Sequence, residues 1–137
     1  MSSYQIVDEP KVRGTNALIF NPLIILFVSI LTPLFWNPPL MGRFWMPMIW
    51  IIINGVLLGS HSLKKEILAI IIGAAVFFAT LYGTAFISVS SLFDDPDSTL
   101  PYLRIFLQAI FFSTLYVVVF MQSASYSIYE YIREQDE

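Results

Sequence analysis

Cysteine is missing from this 137-residue chain, and a single histidine is present. Without thiols there is no disulfide framework, no thiol redox chemistry and no thiolate metal site. One histidine, His61, supplies no pair of axial ligands for a haem. Charge is scarce too: 12% of the residues are charged and 57% are hydrophobic, against about 25% and about 45–50% in soluble domains. The mean hydropathy of +0.73 excludes an ordinary water-soluble globular protein, a disordered tail and a direct nucleic-acid binder.

What is there instead is a set of long apolar runs. A helix needs roughly 20 apolar residues to cross a bilayer core of about 30 Å. Four stretches meet or approach that length, at about residues 17–36, 44–60, 67–92 and 103–126. The first does not read as a cleaved leader. Asp8 and Glu9 accompany Lys11 and Arg13 ahead of it, and Asn37-Pro38-Pro39 follow it in place of a small-residue cleavage pattern. The pattern predicts an all-α integral membrane protein: four transmembrane helices in an antiparallel up-down bundle, forming a single membrane domain over residues 1–137. Residues 1–16 form an arm and residues 127–137 a polar helical tail.

Basic residues of short loops set orientation. Lys11, Arg13, Lys64, Lys65 and Arg133 fall on one side, and Arg43 and Arg104 with the acidic Asp94, Asp95 and Asp97 fall on the other. Both termini are therefore expected to be cytoplasmic. Trp36, Phe44, Trp45, Trp50 and Tyr102 gather near the outer ends of the runs, and Tyr126, Tyr129 and Tyr131 near the inner end of the last. Trp and Tyr favour the headgroup region because their rings are part apolar and part hydrogen-bonding.

Helices in lipid associate through small residues and interhelical hydrogen bonds. At 100° per residue, Gly73, Thr80, Thr84 and Ser91 share one face of the third run, and Phe78, Tyr82 and Phe86 occupy the opposite face. The candidate helix-packing or pore-lining residues are Asn21, Asn54, Gly73, Thr80, Gly83, Thr84, Ser91, Gln108 and Gln122. Interhelical packing is the ordinary role for such groups. The alternative role, lining a conducting path, requires an oligomer, because four helices are too few to enclose a pore alone.

Apart from Arg104 at the border of the fourth run, no Asp, Glu, Lys, Arg or His lies within the four runs, and such residues are the default functional candidates of a membrane span. The inward stripes are therefore expected to be neutral, with no catalytic residue, no cofactor and no metal. Asp94, Asp95 and Asp97 lack the glycine and distal glutamate of an EF-hand loop and read as a solvated turn. The tail carries the candidate partner-docking residues Tyr126, Tyr129, Glu130, Tyr131 and Arg133.

In layout alone the chain looks like the short four-span inner-membrane proteins of bacteria, among them membrane subunits of defence systems, immunity or exclusion proteins, and accessory subunits of larger complexes. That resemblance implies a bacterial inner-membrane location and no roles for individual residues. The reading it favours is a non-enzymatic, homo-oligomeric membrane subunit that anchors or signals to a cytoplasmic protein partner, as in an antiviral defence complex. A homo-oligomeric channel or pore-forming effector is the alternative, and a small carrier for a neutral or lipidic substrate comes third.

Overall fold

The computed structural model describes residues 18–31, 46–89 and 96–136, and among them the regular structure is entirely helical. Four helices follow in order: α1 Pro22–Leu31, α2 Met46–Leu58, α3 Leu63–Val89 and α4 Pro96–Asp136. Two of them are long and apolar enough to cross a membrane, Leu63–Phe86 and Leu100–Gln135, and their most apolar stretches have mean hydropathies of 2.2 and 2.0.

Local chemistry sets the ends of these elements. The first apolar run was expected to be helical from residue 17, but α1 starts at Pro22. Proline pre-sets φ for the first helical position and disfavours helical backbone at the residue before it. Asn21 serves as the cap, its Oδ1 accepting the Leu23 N–H at 2.9 Å. At the other end of the next element, α2 stops because Gly59 adopts φ 64°. The Ser60 N–H then returns to the Gly55 carbonyl at 3.0 Å and the Gly59 N–H to Val56 at 3.2 Å, the paired bonds of a Schellman ending.

Four residues after Gly59, at Leu63, the chain is helical again. The Ser62 carbonyl accepts the Glu66 N–H at 2.9 Å, which makes Ser62 the cap of α3. The turn between α2 and α3 is therefore Gly59 to Ser62, and His61 is exposed on it.

Helix α4 packs against the other three helices. Its buried stripe runs Leu107, Phe111, Leu115, Val118, Val119, Gln122, Ser125 and Tyr129, in which Val118 and Val119 sit side by side and the other steps are three or four, a spacing that keeps one face inward. Against α3 it lies antiparallel: Gly73 meets Thr114 and Glu66 meets Gln122. A Cβ at Gly73 would overlap the Thr114 side chain, so the absence of one lets the two backbones close up. The main apolar core joins Ile25, Met48, Ile51, Ile70 and Phe77 to the α4 stripe. A second, smaller cluster packs Ile19, Leu58 and Tyr129 together. It gathers the start of the described chain, the end of α2 and the far part of α4 at one end.

The outward surface is apolar. Phe27 is 69% exposed, Phe86 78% and Phe120 70%, and the hydrophobic windows of α3 and α4 are 11% and 28% buried. Asp94, Asp95, Trp36, Phe44, Trp45 and the segment 37–43 lie outside the described residues.

Candidate functional site

Where the ends of α2 and α3 meet α4, six polar side chains are buried or half-buried together: Asn54, Ser60, Ser62, Glu66, Gln122 and Ser125. Glu66 and Asn54 are each 1% exposed and Gln122 is fully enclosed. The sequence led us to expect no carboxylate on an inward stripe, and Glu66 corrects that expectation.

Helix phase explains its position. Glu66, Ile70, Gly73 and Phe77 follow steps of four, three and four, so they share one face of α3, and that face packs on α4. Lys64 and Lys65, its immediate neighbours, project elsewhere and are exposed. Glu66 also lies in the first turn of α3, where the helix dipole favours a negative group.

The hydrogen bonds of this cluster close on one another. Asn54 Nδ2 donates to the Phe20 carbonyl at 2.9 Å and to Gln122 Oε1 at 2.9 Å, and Asn54 Oδ1 accepts the Phe20 N–H at 2.8 Å. The side chain thus pairs with the main chain of the non-helical segment before α1 as a neighbouring strand would. Gln122 Nε2 donates to the Ile51 carbonyl at 3.0 Å and to Glu66 Oε2 at 3.0 Å. Both hydrogens of both amides are therefore used.

The other carboxylate oxygen, Glu66 Oε1, accepts from Ser60 Oγ at 2.5 Å and from Ser62 Oγ at 2.7 Å. Ser60 Oγ also lies 3.0 Å from Ser62 Oγ and 3.2 Å from Ser125 Oγ. The hydrogen-bond partners of the carboxylate among the described residues are all neutral donors.

Gly55 makes this packing possible. A Cβ there would sit 2.5 Å from Gln122 Nε2 and 2.8 Å from Glu66 Oε2. Any side chain at position 55 displaces the amide–carboxylate contact.

The other candidates divide by what their polar atoms do. Asn21 caps α1 and is half-buried. Thr80 and Thr84 donate to carbonyls of their own helix, Val76 at 2.9 Å and Thr80 at 2.7 Å. Gly73 sits in the α3–α4 contact, whereas a Cβ at Gly83 would meet nothing within 4 Å. Gln108 is half-buried, about 21 Å along α4 from Gln122 at 1.5 Å per residue. It lines an open depression with Leu100, Pro101, Arg104 and Ile105. The amides at 108 and 122 therefore belong to different levels of the molecule. Ser91 lies outside the described residues.

In the tail, Glu130, Tyr131 and Arg133 are exposed and Tyr126 is half-buried. Tyr129 is not available for docking: it is 6% exposed, packed on Ile19 and Leu58. Its hydroxyl has no hydrogen-bond partner among the described residues.

Among the described residues no group of three or more His, Cys, Asp or Glu side chains could hold a metal ion. Ser60, Ser62, Ser125 and Glu66 escaped the sequence reading because Ser60 and Ser125 sit at the ends of the second and fourth runs and Ser62 and Glu66 in the polar connection between the second and third. The signal that could have found them is the Ser62–Glu66 spacing of four, together with the in-phase row 66, 70, 73 and 77. Comparison with protein-family models, with curated proteins and with solved structures returned no match.

Proposed function

We propose that the chain is a four-span membrane subunit without catalytic activity, with both ends on the cytoplasmic side. In this reading it assembles with further copies of itself and presents the end of α4 to a cytoplasmic partner. The observation that carries it is an inverted distribution of polarity. Asn54, Glu66 and Gln122 are inside while Phe27, Phe86 and Phe120 are outside. Water would favour the opposite arrangement, because burying an amide or carboxylate costs free energy and exposing large apolar side chains forfeits the hydrophobic gain. In lipid the apolar exterior is at no disadvantage, and buried hydrogen bonds between helices hold the bundle together.

Two further features support the arrangement. Ile19, Leu58 and Tyr129 meet at one end, as two termini and the second connection would on a single side of a membrane. Helix α4 has 41 residues, about 60 Å at 1.5 Å per residue, roughly twice the hydrocarbon thickness. Its C-terminal turns would stand clear of the lipid, with Glu130, Tyr131 and Arg133 exposed. A pore lined by Thr80, Thr84 and Gln122 has less support, since the threonines bond their own backbone and Gln122 is enclosed and fully engaged.

The test is the mass of the native assembly in mild detergent. A multiple of the 15.6 kDa chain, with a companion protein released when Glu130, Tyr131 and Arg133 are replaced by alanine, is the expected result. A monomer without a companion would contradict the proposal.

A further inference from the structure

The sequence-based expectation of neutral helix interiors leaves the enclosed carboxylate of Glu66 without a purpose. A structural clasp does not require it. Gln122 and Asn54 alone tie α2 and α4 together and hold both to the segment at Phe20. A buried carboxylate whose partners are neutral is costly where a neutral side chain of similar size would fit, and in a membrane protein such a group marks a functional site.

We propose that Glu66 is a proton-binding site, loaded and unloaded from the α2–α3 turn through the hydroxyls of Ser62 and Ser60. This holds whether or not the chain docks a partner. The geometry favours a proton over a metal ion. Glu66 Oε1 stands 2.5 Å from Ser60 Oγ and 2.7 Å from Ser62 Oγ, the spacing of O–H···O bonds, and a metal ion would have to force these oxygens apart.

A proton fits with no movement of heavy atoms. In the carboxylate form both hydroxyls donate to Oε1. When a proton arrives, Oε1 becomes a donor to Ser60 Oγ, and Ser60 turns its own hydrogen toward Ser62 or Ser125, 3.0 and 3.2 Å away. Hydroxyl rotation is all that changes. The Gln122 bond to Oε2 persists in both forms, so the helix contacts survive loading. For release, Oε1 passes its hydrogen to Ser62 Oγ as Ser62 gives up its own hydrogen at the turn, where Ser62 is half-buried and His61 exposed, and Ser60 turns its hydrogen back to Oε1.

The surroundings are sparse in competing charge. α1 and α2 carry no titratable side chain over Pro22–Leu31 and Met46–Leu58. The turn brings His61, α3 brings exposed Lys64 and Lys65, and α4 brings Tyr126 and Tyr129 beyond Gln122, followed by exposed Glu130.

The experiment is infrared difference spectroscopy of the full chain in lipid nanodiscs, stepped through the pH range in which it stays folded. The expected result is a protonated-carboxyl C=O band in the native protein that is lost in Glu66→Gln. Native and Glu66→Gln spectra that superimpose would overturn the assignment. Since Glu66→Gln places two amide donors face to face with Gln122, Ser60→Ala supplies a second reading that keeps the carboxyl. Its band is expected to shift in position, and an unmoved band would overturn the proposal. In Ser62→Ala the band is expected to keep its amplitude while its hydrogen–deuterium exchange slows. An exchange rate equal to that of the native protein would overturn the route through the turn.

Discussion

Two single-methyl additions, Gly55→Ala and Gly83→Ala, should change stability in opposite directions. Both positions lie within helices, where alanine is favoured over glycine by about 0.8–1 kcal/mol. At Gly83 nothing lies within 4 Å of the new Cβ, so this gain is the whole effect and the variant is expected to be more stable by up to about 1 kcal/mol. At Gly55 the Cβ would sit 2.5 Å from Gln122 Nε2 and 2.8 Å from Glu66 Oε2. Gln122 must withdraw, and its bonds to Ile51 and Glu66 are lost. Interhelical bonds in lipid are worth about 0.6–2 kcal/mol each, so losing two costs about 1–4 kcal/mol. Subtracting the helix-propensity gain leaves a net loss of up to about 3 kcal/mol. Reversible unfolding in detergent micelles, followed by circular dichroism, reads both variants against the native chain. Gly55→Ala matching Gly83→Ala, or exceeding it in stability, would refute the claim that position 55 makes room for the amide–carboxylate contact.

Other outcomes follow from the same geometry. Gly73→Ala is expected to destabilise the protein by about 1–3 kcal/mol through overpacking against Thr114, and Thr114→Ala in the same chain should recover part of it in the same unfolding assay. A double variant no better than Gly73→Ala would show the α3–α4 contact to be misplaced. Thr80→Val removes a hydroxyl bonded within α3 and is expected to change stability by less than about 0.5 kcal/mol, as substitutions away from critical contacts do. Asn54→Leu strands the Phe20 N–H and C=O together with Gln122 Oε1. A buried unsatisfied group costs about 1–3 kcal/mol, so this variant should be among the least stable measured.

How much of this was legible in the sequence depends on which residues are asked about. Apolar runs of helical length identified α3 and α4, because length and composition suffice for that. The division of α3 into faces was legible from spacing alone, and Phe78, Tyr82 and Phe86 are exposed. Asn54 and Gln122 stood out as amides in apolar surroundings. Their partners did not, because one is a backbone segment that Pro22 keeps non-helical and the other is a carbonyl of α2. Glu66 was obscured by a different cause. A hydropathy window merges Lys64, Lys65 and Glu66 into one charged boundary, whereas a helix sends successive side chains 100° apart. Two of the three point outward and the third joins Ile70 and Phe77 inside. Tyr129 shows the converse: a tail aromatic that read as interfacial is enclosed by Ile19 and Leu58, a contact between opposite ends of the chain that local spacing does not encode.

The absence of cysteine makes the membrane arrangement directly measurable, since any introduced thiol reports without background. Single cysteines at Ile72, Phe120, His61 and Glu134, probed in intact cells and in inverted vesicles with a membrane-impermeant reagent, test it at four points. The account predicts no labelling of Ile72→Cys or Phe120→Cys from either side, and labelling of His61→Cys and Glu134→Cys in inverted vesicles only. Free labelling at positions 72 and 120, or labelling at 61 and 134 from opposite sides, would contradict it.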